Sequence, residues 1–342
     1  MKIINRKIGA KHDPLIIAEI GINHNGDLAI AKQMVDSAKR AGVEIIKHQT
    51  HIVDDEMSPE AKKIRPGNSD KSIYEIMKSC SLSFDDELEL MKYVESKKMI
   101  FISTPFSRLA VDRLVEMEVP AFKIGSGECN NYPLIEYIAK FKKPVILSTG
   151  MNDINSIKKS VEILKSNKLD YALLHTTNLY PTPFNLVRLG GMEELMKKFP
   201  ECPIGLSDHT TNNLASYAAI SLGASIIERH FTDTMNREGP DIICSMDEYN
   251  CKELIDNSKI LKSMLGGEKK AAKEEAVTIN FAFATVVSIE NIKKGDILKE
   301  NNIWVKRPGT GEIKAEFYND VLDKISLRDI KKGEHLNWKD FE

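Results

Sequence analysis

Eight short apolar runs, separated by amphipathic stretches, fill the first three-quarters of this 342-residue chain. They are "LIIAEIGIN" (15–23), "EIIKHQT" (44–50), "MIFISTPF" (99–106), "AFKIGSG" (121–127), "PVILSTGM" (144–151), "YALLHTT" (171–177), "PIGLSDH" (203–209) and "SIIERHFT" (225–232). Most are continuously apolar rather than alternating, as parallel strands covered on both faces must be. Between them, "LAIAKQMVDSAKRAG" (28–42), "SIKKSVEILKSN" (156–167) and "NNLASYAAISLG" (212–223) carry apolar residues at helical spacing. Gly42 and Gly223 stand where such helices stop. With "YNCKELIDNSKILKSMLG" (249–266) as the closing helix, the count is that of an α/β protein built as a (β/α)8 barrel. An open doubly wound sheet usually has fewer strands and a glycine-rich first turn, which is missing here.

The pattern changes after the barrel. Residues 267–280 open with "GEKKAAKEEAV", charged and nearly free of large apolar side chains, and read as a linker. Beyond it, "NIKKGDILKENNIWV" (291–305) and "DIKKGEHLNWKDFE" (329–342) echo each other, which predicts a small β-rich domain of two related units over 281–342. The catalytic barrel is expected over 1–266. So small a core gains from docking on the barrel or on a second subunit.

Composition serves mainly to exclude. A net charge of -2 gives no basic field for nucleic acid or a membrane surface. No window approaches the ~18 apolar residues of a membrane span, and the N-terminal stretch does not read as a signal peptide. The five cysteines are scattered without a C-x-x-C pair, so a cytoplasmic, reducing setting is expected.

In such a barrel the chemistry sits at the C-terminal strand ends. Those ends offer Glu19, then Lys47 and Gln49, Thr104, Lys123 with Ser126 and Glu128, Ser148, Asn178, Ser207 with His209, and Glu228 with His230. A polar strand end alone is bland, but Lys47 and Lys123 are flanked by residues that belong inside. A buried lysine is costly unless it meets an anion, and the neutral donors nearby suit phosphate or carboxylate. Ion-paired or snorkelling lysines remain the plain alternative. His209 and His230 end neighbouring strands, and a pair of neutral imidazoles suits a divalent transition metal. His48 alternates onto the helix side and His51 begins a loop, so both read as structural or peripheral. Glu228 reads as a support behind His230, with Arg229 turned outward. "YPTP" (180–183) presents Tyr180 over the barrel mouth, and Asp241 in "NREGPD" is a candidate hydroxyl binder.

The segments "EIGINHNGDL", "KHQTHIVDDEMS", "FISTPFS", "KIGSGECNNYPLI", "LSTGM", "NLYPTP", "GLSDHT" and "ERHFTD" together resemble bacterial sialic acid synthases. The tail with "WVKRPGTG" is similar to the small antifreeze-like (SAF) domain that follows the barrel in that family. The resemblance implies a C–C bond-forming transferase that condenses phosphoenolpyruvate with an open-chain N-acetylhexosamine and releases phosphate. It further implies a divalent metal, Mn2+ or Mg2+, on His209 and His230. Lys47, Thr104, Lys123, Ser126, Ser148, Asn178 and Ser207 match positions that hold phosphoenolpyruvate. Glu19, Gln49, Asn68, Tyr180 and Asp241 match positions around the sugar, and Glu128 one that could order a water. Glu19 and Glu128 are the candidate general bases. Phe281 and Arg307 match positions that the partner subunit lends in a swapped homodimer. "KHQTH" and "GECNNYP" point to the N-acetylneuraminate branch with N-acetylmannosamine as acceptor; the alternative is a 2,4-diacetamido-6-deoxy hexose, giving legionaminic or pseudaminic acid. A metal-dependent hydrolase on this barrel would need a further strong protein ligand beside the histidines, and none stands out. A non-catalytic sugar-binding protein would have no use for both lysines and both histidines.

Overall fold

The computed structural model describes residues 1–65 and 70–342; Asn68 lies outside the described residues. The chain divides into two compact units, Met1–Leu265 and Gly266–Glu342. In the first, eight parallel strands among the described residues close into a barrel. In chain order they are β1 (Leu15–Gly21), β2 (Ile45–Thr50), β3 (Ile100–Pro105), β4 (Phe122–Ile124), β5 (Val145–Ser148), β6 (Tyr171–Thr176), β7 (Ile204–Asp208) and β8 (Ile226–His230). β8 pairs with β1, which removes both sheet edges.

Side-chain parity builds two cores. Ile16, Ala18, Ile46, Phe101, Phe122, Val145, Leu173, Leu206 and Ile227 face the helices in one cluster. Leu15, Ile17, Ile45, Ile102, Ala121, Ile146, Ala172, Leu174 and Ile226 fill the barrel interior in another. Full burial of each Val, Leu, Ile or Phe side chain among them is worth roughly 1.5–3 kcal/mol. The hairpin of Lys2–Ile3 and Arg6–Lys7 closes the N-terminal end, with Ile3 and Ile8 buried against the interior cluster. Only the C-terminal end of the barrel is left for polar side chains.

The helices start where local chemistry satisfies their free N–H groups. Asp27 accepts from Ala29 and Ile30 to begin Leu28–Ala41, and Asp247 accepts from Asn250 to begin Glu248–Met264. Gly42 ends the first helix in the left-handed region at φ 94°, as its position in the sequence suggests. The fourth apolar run is strand only over Phe122–Ile124, and Ser126–Glu128 turns into a 3-10 helix.

Within the second unit the two echoing segments lie against each other. Ile292 and Ile330 exchange both backbone hydrogen bonds, each 2.9 Å. Each segment then turns at a glycine with positive φ, Gly295 at 90° and Gly333 at 87°. The acidic residue after each glycine caps its own turn: Asp296 accepts from Lys293 N–H at 2.7 Å, and Glu334 from Lys331 N–H at 3.1 Å. Val286, Ile292, Leu298, Ile303, Ile313, Val321, Ile330, Leu336 and Phe341 form the core. The charged stretch that opens this unit carries more structure than a plain linker, including the helix Ala276–Ala282.

Candidate active site

Strand register brings the polar positions into one layer. Glu19 on β1 lies between Lys47 on β2 and His230 on β8. Gln49 pairs with Thr104, and Ser207 with Glu228. Above this layer opens a cavity of about 440 Å³. Its lining includes Lys47, Gln49, Thr104, Lys123, Ser126, Ser148, Asn178, Tyr180, Ser207, His209, His230 and Asp241.

Two buried lysines form the floor. Lys47 Nζ lies 2.8 Å from Glu19 Oε2 and 3.5 Å from Glu228 Oε1. Lys123 Nζ donates to Ser148 Oγ at 2.7 Å and sits 3.6 Å from the same Glu228 oxygen. Burial opposes the charge on Lys47, but Glu19 and Glu228 outweigh it and raise its pKa. On Lys123 burial prevails, with repulsion from Lys47, and lowers the pKa to about 8. Glu228 is held below the usual carboxylate range: burial works against its charge, and the two lysines overcome that. The lysines are thus ion-paired and also line the cavity, so the two sequence readings describe one arrangement.

Several buried polar atoms here have no hydrogen-bond partner within the protein: Thr104 Oγ1, Asn178 Oδ1, Glu228 Oε2 and His230 Nδ1. Buried orphans are costly, and several around one cavity are best explained by a polar ligand. Gly150 permits this crowding. A Cβ there would stand 1.9 Å from Asn178 Oδ1 and 2.9 Å from Ser126 Oγ.

His209 and His230 approach with ring centroids 5.4 Å apart. His209 Nδ1 lies 3.0 Å from the Thr177 carbonyl, which only accepts, so that nitrogen carries the proton and Nε2 keeps its lone pair. Burial, and for His209 also the neighbouring imidazole, lowers both pKa values to about 4, so both rings are neutral at pH 7. Orphaned His230 Nδ1 stands 3.6 Å from Asp241 Oδ2. Desolvation pushes the Asp241 carboxyl up to about 6. Neutral imidazoles with a free lone pair suit a divalent cation. Among the described residues no group of three or more His, Cys, Asp or Glu is arranged to hold a metal, so other donors would complete its shell. Tyr180 stacks on His209 at 4.2 Å.

Other positions depart from the sequence reading. Glu19 is buried behind Lys47 and Gln49 rather than in the cavity wall. Glu128 is not part of that wall either; its carboxylate accepts from Asn131, the N-cap of the helix Tyr132–Ala139. Glu228, read as a support, lines the cavity. His51, read as peripheral, lines it too, together with Glu56, Phe106 and an apolar flank of Met57, Ile73, Ile76 and Met77. Strand parity could have found His51, because 45, 47, 49 and 51 share one face. Arg229 does point away from the barrel axis but is buried, donating to Asn213 Oδ1 and the Thr210 carbonyl. His48 lies behind the sheet, 3.2 Å from His24 and 3.1 Å from Glu87. Phe281 and Arg307 belong to the second unit, where both are exposed.

Comparison with known proteins agrees with this fold. Residues 34–270 match the NeuB family, and residues 283–342 match the SAF domain. The chain belongs to the NeuB family of sialic acid synthases. It is therefore an enzyme of the phosphoenolpyruvate-using transferase type. It is 41% identical to an uncharacterized protein of Methanocaldococcus jannaschii, over 99% of this chain and 98% of that protein. It is 38% identical to the N,N'-diacetyllegionaminic acid synthase of Campylobacter jejuni, over 94% of this chain and 98% of that one. A crystal structure of the N-acetylneuraminic acid synthetase of Leptospira borgpetersenii superposes with a TM-score of 0.75 at 29% identity, covering 82% of this chain and 94% of that one. No helix among the described residues of this family member is long and apolar enough to cross a membrane.

Proposed function

We propose that the protein condenses phosphoenolpyruvate with N-acetylmannosamine, yielding N-acetylneuraminic acid and phosphate. The observation that carries this reading is the floor of the cavity, where two buried lysines and a set of neutral donors converge on one space. Lys47 and Lys123 meet the carboxylate and phosphate, and Thr104, Ser126, Ser148, Asn178 and Ser207 fix their orientation. Positioning of this kind contributes on the order of 7–11 kcal/mol to a bimolecular reaction. C3 of the enol attacks the sugar aldehyde carbon, forming the C–C bond; the aldehyde π pair moves to its oxygen, which takes up a proton and becomes a hydroxyl, while C2 becomes electron-poor. Water adds at C2 and gives up a proton. The resulting tetrahedral carbon expels phosphate by breaking its C–O bond, as the new hydroxyl loses its proton and becomes the C2 carbonyl.

The water needs a proton acceptor. Glu19 and Glu128 were the sequence candidates, yet Glu228 is the glutamate of these three that lines the cavity. Its Oε2 has no hydrogen-bond partner within the protein, which leaves that oxygen to accept the proton. His209 and His230 would hold a divalent metal, Mn2+ or Mg2+, which when bound supplies Lewis-acid polarisation of an aldehyde oxygen. Gln49, Tyr180 and Asp241 line the side of the cavity that would take the sugar hydroxyls. Phe281 and Arg307 would complete a partner subunit's sugar site, making the working unit a homodimer.

The second reading is the same chemistry on a 2,4-diacetamido-6-deoxy hexose, favoured by the name of the Campylobacter jejuni relative. Phosphate release from phosphoenolpyruvate, measured with each acceptor and with or without chelator, separates the two. Turnover with N-acetylmannosamine, abolished by chelator and by His209→Ala, is the expected result. Turnover with the diacetamido sugar alone would move the assignment to the second reading.

A further inference from the structure

We infer that His51 is a positioning residue, held as an imidazolium, that anchors the oxygen of the Gln49 amide while Glu19 anchors its nitrogen, and so holds that side chain in place for the acceptor sugar. The inference rests on the reading of the cavity as a phosphoenolpyruvate-dependent synthase site.

The argument is one of donors and acceptors. Gln49 Nε2 donates to Glu19 Oε1 at 2.7 Å. Glu19 is tied to the ammonium of Lys47 through its other oxygen, and an ionised carboxylate can only accept. The Gln49 amide is thereby fixed, with its nitrogen toward Glu19 and its oxygen toward His51 Nε2 at 3.1 Å. An amide oxygen also only accepts, so His51 Nε2 must carry a proton. On the other edge of the ring, Nδ1 lies 3.0 Å from both oxygens of Glu56. With that carboxylate ionised, Nδ1 must carry a proton as well. Acceptors on both edges require a doubly protonated ring.

The surroundings fit a cation. His51 and Glu56 are almost fully buried, at 3% and 4% side-chain exposure, and a buried carboxylate needs a countercharge. The His51 ring stacks on Phe106 at 4.4 Å with an interplanar angle of 10°, a face that favours a positive ring. Glu128 stands near enough to Glu56 to feel its charge, which adds to the negative field on this side.

In the chain Glu56–His51–Gln49–Glu19–Lys47 every contact therefore pairs a donor with an acceptor. Gln49 accepts from His51 with one lone pair of its oxygen and donates one N–H to Glu19, leaving one N–H and one lone pair for a ligand in the cavity. Without His51 the amide oxygen loses its partner, and the side chain is held from the Glu19 side alone.

Two measurements test this. In the full-length protein without substrates, 15N NMR at pH 7 should show both ring nitrogens of His51 protonated. The resonance is assigned by its loss in His51→Phe or, if that variant does not fold, by its shift in Glu56→Gln. A singly protonated His51 would overturn the inference. In the phosphate-release assay, His51→Phe should lower kcat/KM for the sugar roughly tenfold and leave KM for phosphoenolpyruvate unchanged. The same substitution in a Gln49→Ala background should add little, because His51 acts through Gln49. Full additivity of the two losses would overturn the inference. If the wild type turns over neither acceptor, the proposed function fails, and the NMR result alone decides the state of His51.

Discussion

At the scale of single residues, the two lysines of the floor are chemically unequal. Lys47 has two carboxylates to hold its charge, whereas burial and repulsion from Lys47 lower the Lys123 pKa to about 8. Below that value Lys123 is an ammonium and can neutralise a bound anion; above it the charge is lost. We predict that kcat/KM for phosphoenolpyruvate is level up to about pH 8 and then falls about tenfold per pH unit. A profile that stays level to pH 9.5 would contradict this. Lys123→Met should cost on the order of a hundredfold in the same parameter at pH 7, since it removes one charge and leaves the other partners buried. Both lysines were legible in the sequence because each interrupts an apolar run. His51 was less so, because its meaning depends on Glu56 and Gln49 meeting it at both edges. Glu128 illustrates the converse: a glutamate beside a strand end was drawn away by the helix cap at Asn131.

At the scale of elements, strand parity carried most of the information. Once a strand is assigned, residues two apart share a face, so Leu15, Ile17 and Glu19 read as interior, interior and site. Loop conformation was not readable in that way, since it depends on contacts far apart in sequence. Gly150 is such a case. It follows β5, yet its lack of a side chain makes room for Asn178 beyond β6. Gly150→Ala should displace the Asn178 amide, raising KM for phosphoenolpyruvate and costing about 1–3 kcal/mol of stability. Steady-state kinetics and thermal unfolding would check both halves. An unchanged KM would show that Asn178 does not contact that substrate. The repeat in the second unit was visible as an echo, but not the fact that its copies pair. Gly295 and Gly333 occupy equivalent turns at nearly equal φ. Alanine at either should destabilise that unit by a similar amount, about 1 kcal/mol. Faster hydrogen exchange at the Ile292 and Ile330 amides would report it, and a large inequality between the variants would argue against equivalent turns.

At the scale of the whole molecule, the proposed homodimer is what would bring a partner subunit's second unit to the barrel cavity. Phe281 is 60% exposed, and Arg307 is exposed too, in a single chain. If a partner subunit's Arg307 completes each barrel, two different inactive variants should rescue each other. Lys123→Met spoils a barrel but keeps Arg307; Arg307→Ala keeps a sound barrel and spoils the residue it lends. In a mixed dimer, the sound barrel receives its arginine from the chain with the spoiled barrel, and one of the two sites becomes complete. Random mixing of equal amounts makes half of the dimers mixed, so activity should return to about a quarter of the wild-type value. Co-expression or refolding of the mixture, followed by the phosphate-release assay, provides the measurement. If each chain instead used its own Arg307, every site in the mixture would lack one of the two groups. Activity would then stay at the level of the separate variants, and the swapped dimer would have to be abandoned.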